Sequence, residues 1–148
     1  MNGPLPGRDL ILAACRRLPI ITANPVVEAA VELAELHRFR EFTPWPQLPE
    51  IDAERERLRR RIDLWVYVAT PPPYLAARTH TQTVGAVVEQ LAELTVQAHV
   101  ALANAPAALR YDAEVQLEEM ARAYQDFIDE LVVGTRRVPS AAAVLRPP

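Results

Sequence analysis

One face of the first long helical segment carries polar residues that are able to do chemistry. In "VVEAAVELAELHRFREF" an apolar stripe with steps of four and three ends on two polar residues, and its members are Val26, Ala30, Leu33, His37 and Arg40. Residues at this spacing share one face of a helix, here the face that turns inward. A histidine beside a guanidinium suits the binding of an anionic ligand and can titrate near neutral pH.

The next segment, "EIDAERERLRRRIDLWV", carries polar residues on its own apolar stripe. Arg55 bridges the gap between Ile51 and Leu58, and Asp52 flanks the stripe. Consecutive helices with a short connection run antiparallel, so the end of the first helix meets the start of the second. The residues that this corner brings together are His37, Arg40, Glu50, Asp52 and Arg55.

Two interpretations of this corner stay open. Cations at a helix C-terminus and carboxylates at a helix N-terminus complement the helix dipoles, so the cluster fits a structural ion-pair network that fixes how the helices meet. It also fits a small polar pocket in which His37 titrates and the arginines orient an anionic ligand. The other charges of the segment, such as Glu56 and Arg60, have the spacing of a solvated helix face.

A second polar group, "RTHTQTVGA" at residues 78–86, precedes the third long helix at the opposite end of the predicted bundle. Free backbone N–H groups at a helix start bind anions. With the side chains of Arg78, His80, Thr81 and Thr83, they predict a site for a phosphate or carboxylate. Capping of the helix by a threonine explains the hydroxyls without any ligand.

Acid–base work is the enzymatic chemistry that these residue types support, and the candidates are His37, His80 and Asp63. Ser140 is the sole serine and lies in the predicted tail, and no histidine is predicted beside the single cysteine, Cys15. The sequence therefore shows no activated nucleophile for covalent catalysis. The chain has no Glu-x-x-His motif for a di-iron site and lacks the second carboxylate pair of an all-α pyrophosphohydrolase. We expect no metal and no cofactor.

Prolines mark the ends of four long predicted helices. Asn24 caps the first, Pro25 occupies its first turn, and it runs to about Phe42. Pro49 begins the second helix, which "TPPPY" ends. A shorter helix over residues 10–18 is expected to pack across the others.

The third and fourth helices have regular apolar stripes. Thr81 or Thr83 caps the third, which ends near residues 104–106. Gly134 has the position of a glycine that follows a helix end. The seam of the fourth helix suits either an internal core or a partner helix, and its members are Ala113, Leu117, Met120, Tyr124, Phe127 and Leu131.

Composition favours an all-α domain. Half of the 148 residues are apolar but only 6% are aromatic, which suits closely packed helices better than a strand-rich sandwich. We predict an N-terminal segment with a short helix over residues 1–24, an up-down-up-down four-helix bundle over 25–134, and a flexible tail over 135–148.

Net charge and cysteine content limit the binding partners and the covalent cross-links that the chain can have. The formal charge is −3, which disfavours a nucleic-acid partner. All basic residues are arginine, which with the frequent alanine and proline indicates a GC-rich bacterial genome. One cysteine excludes a disulfide within the chain. The short apolar run near the N-terminus argues against a signal peptide or a membrane span, so a cytoplasmic location is expected.

Three stretches, "ELAELHRFRE", "EIDAERERLRRRIDLWV" and "RTHTQTVGAVVEQLA", occur in this order. They resemble the compact, actinobacterial-type branch of the bacterial helical family catalogued as domain of unknown function 4254, over about residues 26–94. Longer relatives carry an asparagine-rich stretch where this chain has "LWVYVA". The resemblance implies an all-helical fold and supplies no activity. The family's polar pattern falls here on His37, Arg40, Glu50, Asp52, Arg55, Asp63, His80, Thr81 and Thr83.

The leading hypothesis is a helical-bundle protein that acts by binding, through self-association as a dimer or through a protein partner, with a polar pocket for a small anionic ligand. The alternative is a small enzyme or biosynthetic tailoring factor that uses histidine acid–base chemistry on an anionic small molecule. The predicted ligand-binding residues are His37, Arg40, Asp52, Arg55, Arg78, His80, Thr81 and Thr83.

Overall fold

The computed structural model describes residues 5–40 and 43–139, and over these ranges the chain is almost entirely helical. The all-α prediction is confirmed. The helices are α1 (Arg8–Cys15), α2 (Pro25–Arg40), α3 (Leu48–Ala69), α4 (Val84–Asn104) and α5 (Ala107–Val133). A 3-10 helix, Trp45–Gln47, leads into α3, and the two-residue strands are β1 (Arg78–Thr79) and β2 (Arg136–Arg137).

Helix ends follow the capping chemistry that the sequence predicts. The Asn24 side chain accepts a hydrogen bond from the N–H of Val26 at 2.8 Å, and Thr83 accepts one from the N–H of Ala86 at 3.2 Å. Gly134 ends α5 with a φ of 91°, a left-handed conformation that glycine adopts without steric cost. The predicted end of the first long helix at Phe42 lies outside the described residues.

Helix α4 is the centre of the fold and packs against α1, α2, α3 and α5. Its antiparallel pairing with α3 places Asp63 beside Gly85, near one end of α4. The closed four-helix bundle of the prediction is not confirmed, because α5 packs against α4 and α1 but not against α2. The short helix α1, with its fully buried Ile11 and Cys15, fills the place between α2 and α5.

The apolar seam of α5 faces the interior of this chain. Leu117, Tyr124, Phe127 and Leu131 are each at most 5% exposed. The buried Tyr124 hydroxyl donates a hydrogen bond to the carbonyl of Pro6 at 2.6 Å, so its polar atom is satisfied. Because the core of the chain already uses this seam, the seam gives no support to self-association.

The start of the predicted tail forms defined structure. Strand β2 pairs in parallel with β1, and the N–H of His80 donates to the carbonyl of Arg137 at 2.8 Å. Val138 packs half-buried against the core. Tail residues 140–148 lie outside the described part of the chain. Within the described ranges, no helix combines the length and the apolar character that crossing a membrane requires.

Candidate functional site

Glu89, which the sequence analysis did not select, is the centre of the polar cluster. It lies on α4 and is only 4% exposed. Arg55 and Arg59 are one turn apart on α3, and both reach its carboxylate. The Nε of Arg55 donates to Oε1 at 2.5 Å, and the Nε of Arg59 lies 2.9 Å from Oε2. A buried carboxylate is stable only when it is paired in this way.

Asp52 extends the network to the surface. Its Oδ1 accepts hydrogen bonds from the Nε of Arg40 at 3.1 Å and from Nη1 of Arg55 at 2.8 Å. Arg40 ends α2 and Asp52 lies in the first turns of α3, so the predicted antiparallel corner is confirmed. Glu50, by contrast, is exposed. We call six of these residues the polar corner: His37, Arg40, Asp52, Arg55, Arg59 and Glu89. Arg59 also pairs outside this set, with Glu56.

His37 is a buried member of the polar corner with a ring nitrogen that its neighbours leave without a hydrogen bond, as they also leave the Nε of Arg59. The side chain of His37 is 7% exposed, and its Nε2 lies 3.6 Å from Oε1 of Glu89. That separation is too long for a hydrogen bond. Among the residues that the structure describes, Nε2 has no hydrogen-bond partner. Buried polar atoms in proteins nearly always have one, so this nitrogen requires an explanation.

The carboxylates of the polar corner are held in their charged forms. Burial alone raises the pKa of Glu89, but the charges of Arg55 and Arg59 and the hydrogen bond from Arg55 outweigh it, so the pKa is lowered. Hydrogen bonds from Arg40 and Arg55 lower the pKa of Asp52. The polar corner is therefore a network of full charges at neutral pH. Its three arginines and two carboxylates leave one net positive charge when His37 is neutral.

A cavity of about 420 Å³ opens beside the polar corner, between α2, α3 and α4. Its size falls in the usual range for small-molecule pockets, roughly 300–1,000 Å³. Its walls are mostly polar and combine predicted residues with residues of α4 that were not predicted. The lining residues are His37, Arg40, Arg55, Glu93, Val96 and Gln97.

The donors at the start of α4 are already used within the chain. The N–H of Gly85 donates to Oδ1 of Asp63 at 2.7 Å, and the N–H of Ala86 donates to Thr83. The carboxylate of Asp63 thus occupies the position at the start of α4 where an anionic ligand was predicted to bind. Arg78 and Thr81 are exposed, so the anion site predicted from Arg78, His80, Thr81 and Thr83 is not enclosed.

His80 has a packing role in this structure. Its ring stacks on Phe127 with centroids 3.8 Å apart and an interplanar angle of 11°. Its Nδ1 lies 3.1 Å from the backbone N–H of Gln82. These contacts hold the connection between β1 and α4 against α5. His80 thus stacks on Phe127 of α5, whereas His37 lies beside Glu89 of α4, so the two histidines have different neighbours.

We predict that the free energy of unfolding depends on pH through the half-buried carboxyl group of Asp63. Burial raises its pKa, although the N–H of Gly85 and the hydroxyl of Thr83 oppose the shift. The folded state therefore binds a proton more readily than the unfolded state, and stability falls as pH rises from the unfolded pKa through the folded pKa. Asp63→Asn removes this fall and keeps the acceptor for Gly85. We expect the free energy of unfolding of D63N, relative to the unsubstituted protein, to increase between about pH 4 and pH 7.

Urea denaturation of both proteins across this pH interval measures that difference directly. Taking the difference cancels the contributions of the other carboxylates, some of which have the opposite sign. A difference that stays constant with pH would show that Asp63 titrates alike in both states.

Comparison of the chain with protein-family models, curated proteins and solved structures finds no match. The resemblance to the family catalogued as domain of unknown function 4254 therefore stays a prediction. The polar corner also differs from a metal centre: in the described part of the chain, no group of three or more histidine, cysteine or carboxylate side chains is placed to hold a metal ion.

Proposed function

We propose that the chain binds a small carboxylate-bearing molecule in the cavity beside the polar corner. The observation that carries the proposal is the buried Nε2 of His37, which has no hydrogen-bond partner within the described residues and belongs to a side chain in the wall of a polar cavity. Leaving such an atom unsatisfied costs about 1–3 kcal/mol. A ligand group recovers this energy when the imidazole turns its buried Nε2 toward the cavity and forms a hydrogen bond with the ligand.

Arg40 is the cation best placed to contact a carboxylate. Its side chain is 43% exposed, and over the described residues only its Nε is engaged, by Asp52. Both terminal amino groups are thus available for a bidentate contact, which is the preferred geometry between guanidinium and carboxylate. Asp52 fixes the guanidinium beside the cavity and so reduces the entropy that a ligand must overcome.

Arg55 has a different role, because carboxylates of the chain already engage it. It contacts Glu89 and Asp52 through all three of its nitrogens. Breaking these contacts to hold a ligand would leave Glu89 short of charge compensation in a buried site. We therefore assign Arg55 and Glu89 to positioning the wall of the cavity, and His37 and Arg40 to the ligand.

A purely structural ion-pair network explains the contacts of Arg55, Arg59 and Glu89 equally well. It does not explain His37, whose nearest charged partner is beyond hydrogen-bond distance. Nor does it use the solvent-accessible cavity beside the network, whose wall carries further polar side chains on α4. The ligand proposal accounts for both features and keeps the network as its scaffold.

Calorimetric titration of the full chain with small mono- and dicarboxylates and with inorganic phosphate tests the proposal. We expect at least one carboxylate to bind, and Arg40→Met and His37→Gln each to weaken it by roughly ten-fold or more, since a hydrogen bond to a charged group contributes about 1.5–3 kcal/mol. Arg61→Met is the matched control, because Arg61 pairs with Glu28 at 3.1 Å and does not line the cavity.

The result that contradicts the proposal is equally specific. Absence of binding by every carboxylate tested, amino acids included, would overturn it, as would unchanged affinity in R40M with the fold intact by circular dichroism. Self-association and a cytoplasmic location stay predictions, and sedimentation velocity at several protein concentrations tests the first of them.

A further inference from the structure

We infer that the ligand is an amino-carboxylate, a zwitterion whose ammonium group is bound by Glu93. This inference rests on the proposed function and names the class of molecule. Glu93 is an exposed residue of α4 that lines the same cavity as His37 and Arg40. Its only hydrogen bond within the described residues comes from the Gln97 amide at 3.4 Å, and no cation in that part of the chain pairs with it.

The charge balance of the cavity favours a neutral ligand with separated charges. Arg40 lines the cavity with two terminal nitrogens that no described residue engages, and Glu93 supplies a negative charge to the α4 wall. The cavity wall therefore carries both signs at different places. A simple carboxylate satisfies Arg40 and meets repulsion from Glu93, whereas a zwitterion satisfies both.

The two charges stand on different helices, which gives the ligand an orientation. Arg40 and His37 come from α2, and Glu93 and Gln97 come from α4. The ligand carboxylate is bound at the α2 wall and its ammonium group at the α4 wall. Val96 supplies apolar surface in the same cavity, so a side chain of modest size can contact it.

Matched ligands test the amino-carboxylate inference separately from the more general proposal that the cavity binds a carboxylate. The full chain is titrated with each proteinogenic L-amino acid and, for those that bind, with the 2-hydroxy acid and the primary amine of the same side chain. We expect the amino acid to bind roughly ten-fold or more tightly than either analogue, because each analogue lacks one charge-assisted contact.

Glu93→Gln provides the test by mutation. It weakens the amino acid by roughly ten-fold and leaves the 2-hydroxy acid unchanged or slightly tighter, since it removes a repulsive charge. Asp126→Asn is the control, because Asp126 is an exposed carboxylate on α5, which does not line the cavity. Neither affinity should change in D126N.

The possible outcomes are distinguishable. If the 2-hydroxy acid binds as tightly as the amino acid and E93Q changes neither, the amino-carboxylate inference is overturned while the carboxylate proposal stands, provided that R40M weakens both probes. If no amino acid and no carboxylate binds, both are overturned. Selective loss of amino-acid binding in E93Q supports both.

Discussion

Replacing Glu89 with glutamine lowers the free energy of unfolding by about 3–5 kcal/mol, the usual consequence of removing one partner from a buried ion pair. The substitution keeps the shape of the side chain and removes its charge. Arg55 and Arg59 are then left beside a neutral amide, in a region where their side chains are only 23% and 36% exposed. Chemical denaturation at neutral pH, followed by circular dichroism, measures the loss.

Glu54→Gln is the matched control for this effect. Glu54 also pairs with an arginine of α3, Arg57, but Arg57 is 66% exposed, and exposed ion pairs contribute little to stability. Comparable losses in E54Q and E89Q would show that burial around Glu89 does not matter. A loss below about 1 kcal/mol in E89Q would contradict its position at the centre of the network.

Acid provides a second check on Glu89. Its pKa is lower in the folded state than in the unfolded state. Its stabilising contribution is therefore complete above the unfolded pKa of glutamate and is lost as pH falls through the folded pKa. We expect the difference in stability between the unsubstituted protein and E89Q to shrink in acid. A difference that persists at low pH would indicate a steric cause.

Gly85→Ala destabilises the protein by about 1–3 kcal/mol, as overpacking in a close-packed interior usually does. At an exposed position inside a helix, by contrast, replacing glycine with alanine raises the free energy of unfolding by about 1 kcal/mol. Here the added Cβ would overlap the carbonyl oxygen of Arg59 and lie 2.8 Å from Oδ1 of Asp63. A backbone carbonyl cannot rotate away, so α3 and α4 must separate. Denaturation at neutral pH measures the net effect.

Gly7→Ala controls for the general effect of replacing a glycine. A Cβ at Gly7 would lie 3.1 Å from Oε1 of Gln125, the end of a flexible side chain that can move. We expect a loss of less than about 1 kcal/mol, the scale of N-cap substitutions. A stability of G85A equal to or above that of the unsubstituted protein would contradict the close contact of α3 with α4.

Helix ends were predictable from the sequence because their chemistry is local. Asn24 and Thr83 accept hydrogen bonds from N–H groups two and three residues ahead, and Gly134 adopts a conformation that few other residues tolerate. None of these features depends on how the helices are arranged in space.

The polar corner was predictable in part. His37 and Arg55 were found because they interrupt apolar stripes, and a short antiparallel connection brought them together. Glu89 was missed because the stripe through Val84, Val87 and Leu91 was taken as the whole buried face of α4. As the central helix, α4 buries a second stripe as well. A glutamate on that stripe is interpreted as a surface residue unless the number of helices that pack against α4 is known.

Long-range packing was beyond prediction from one sequence. Whether α5 closes against α2 or leaves that place to α1 depends on how well whole helix surfaces fit, which spacing within a helix does not encode. The stacking of His80 on Phe127 likewise follows from the parallel pairing of β1 with β2. A two-residue strand leaves no alternating pattern that sequence analysis can detect.

The imidazole nitrogen resonances of His37 test the central claim most directly. The chain has three histidines, and His80 and His99 lie outside the cavity and act as internal references. On titration of the ¹⁵N-labelled full chain with the tightest-binding carboxylate, we expect the Nε2 resonance of His37 to shift and to saturate with the calorimetric affinity, while the other two histidines stay unchanged. A His37 resonance that does not move at saturating ligand would contradict the account.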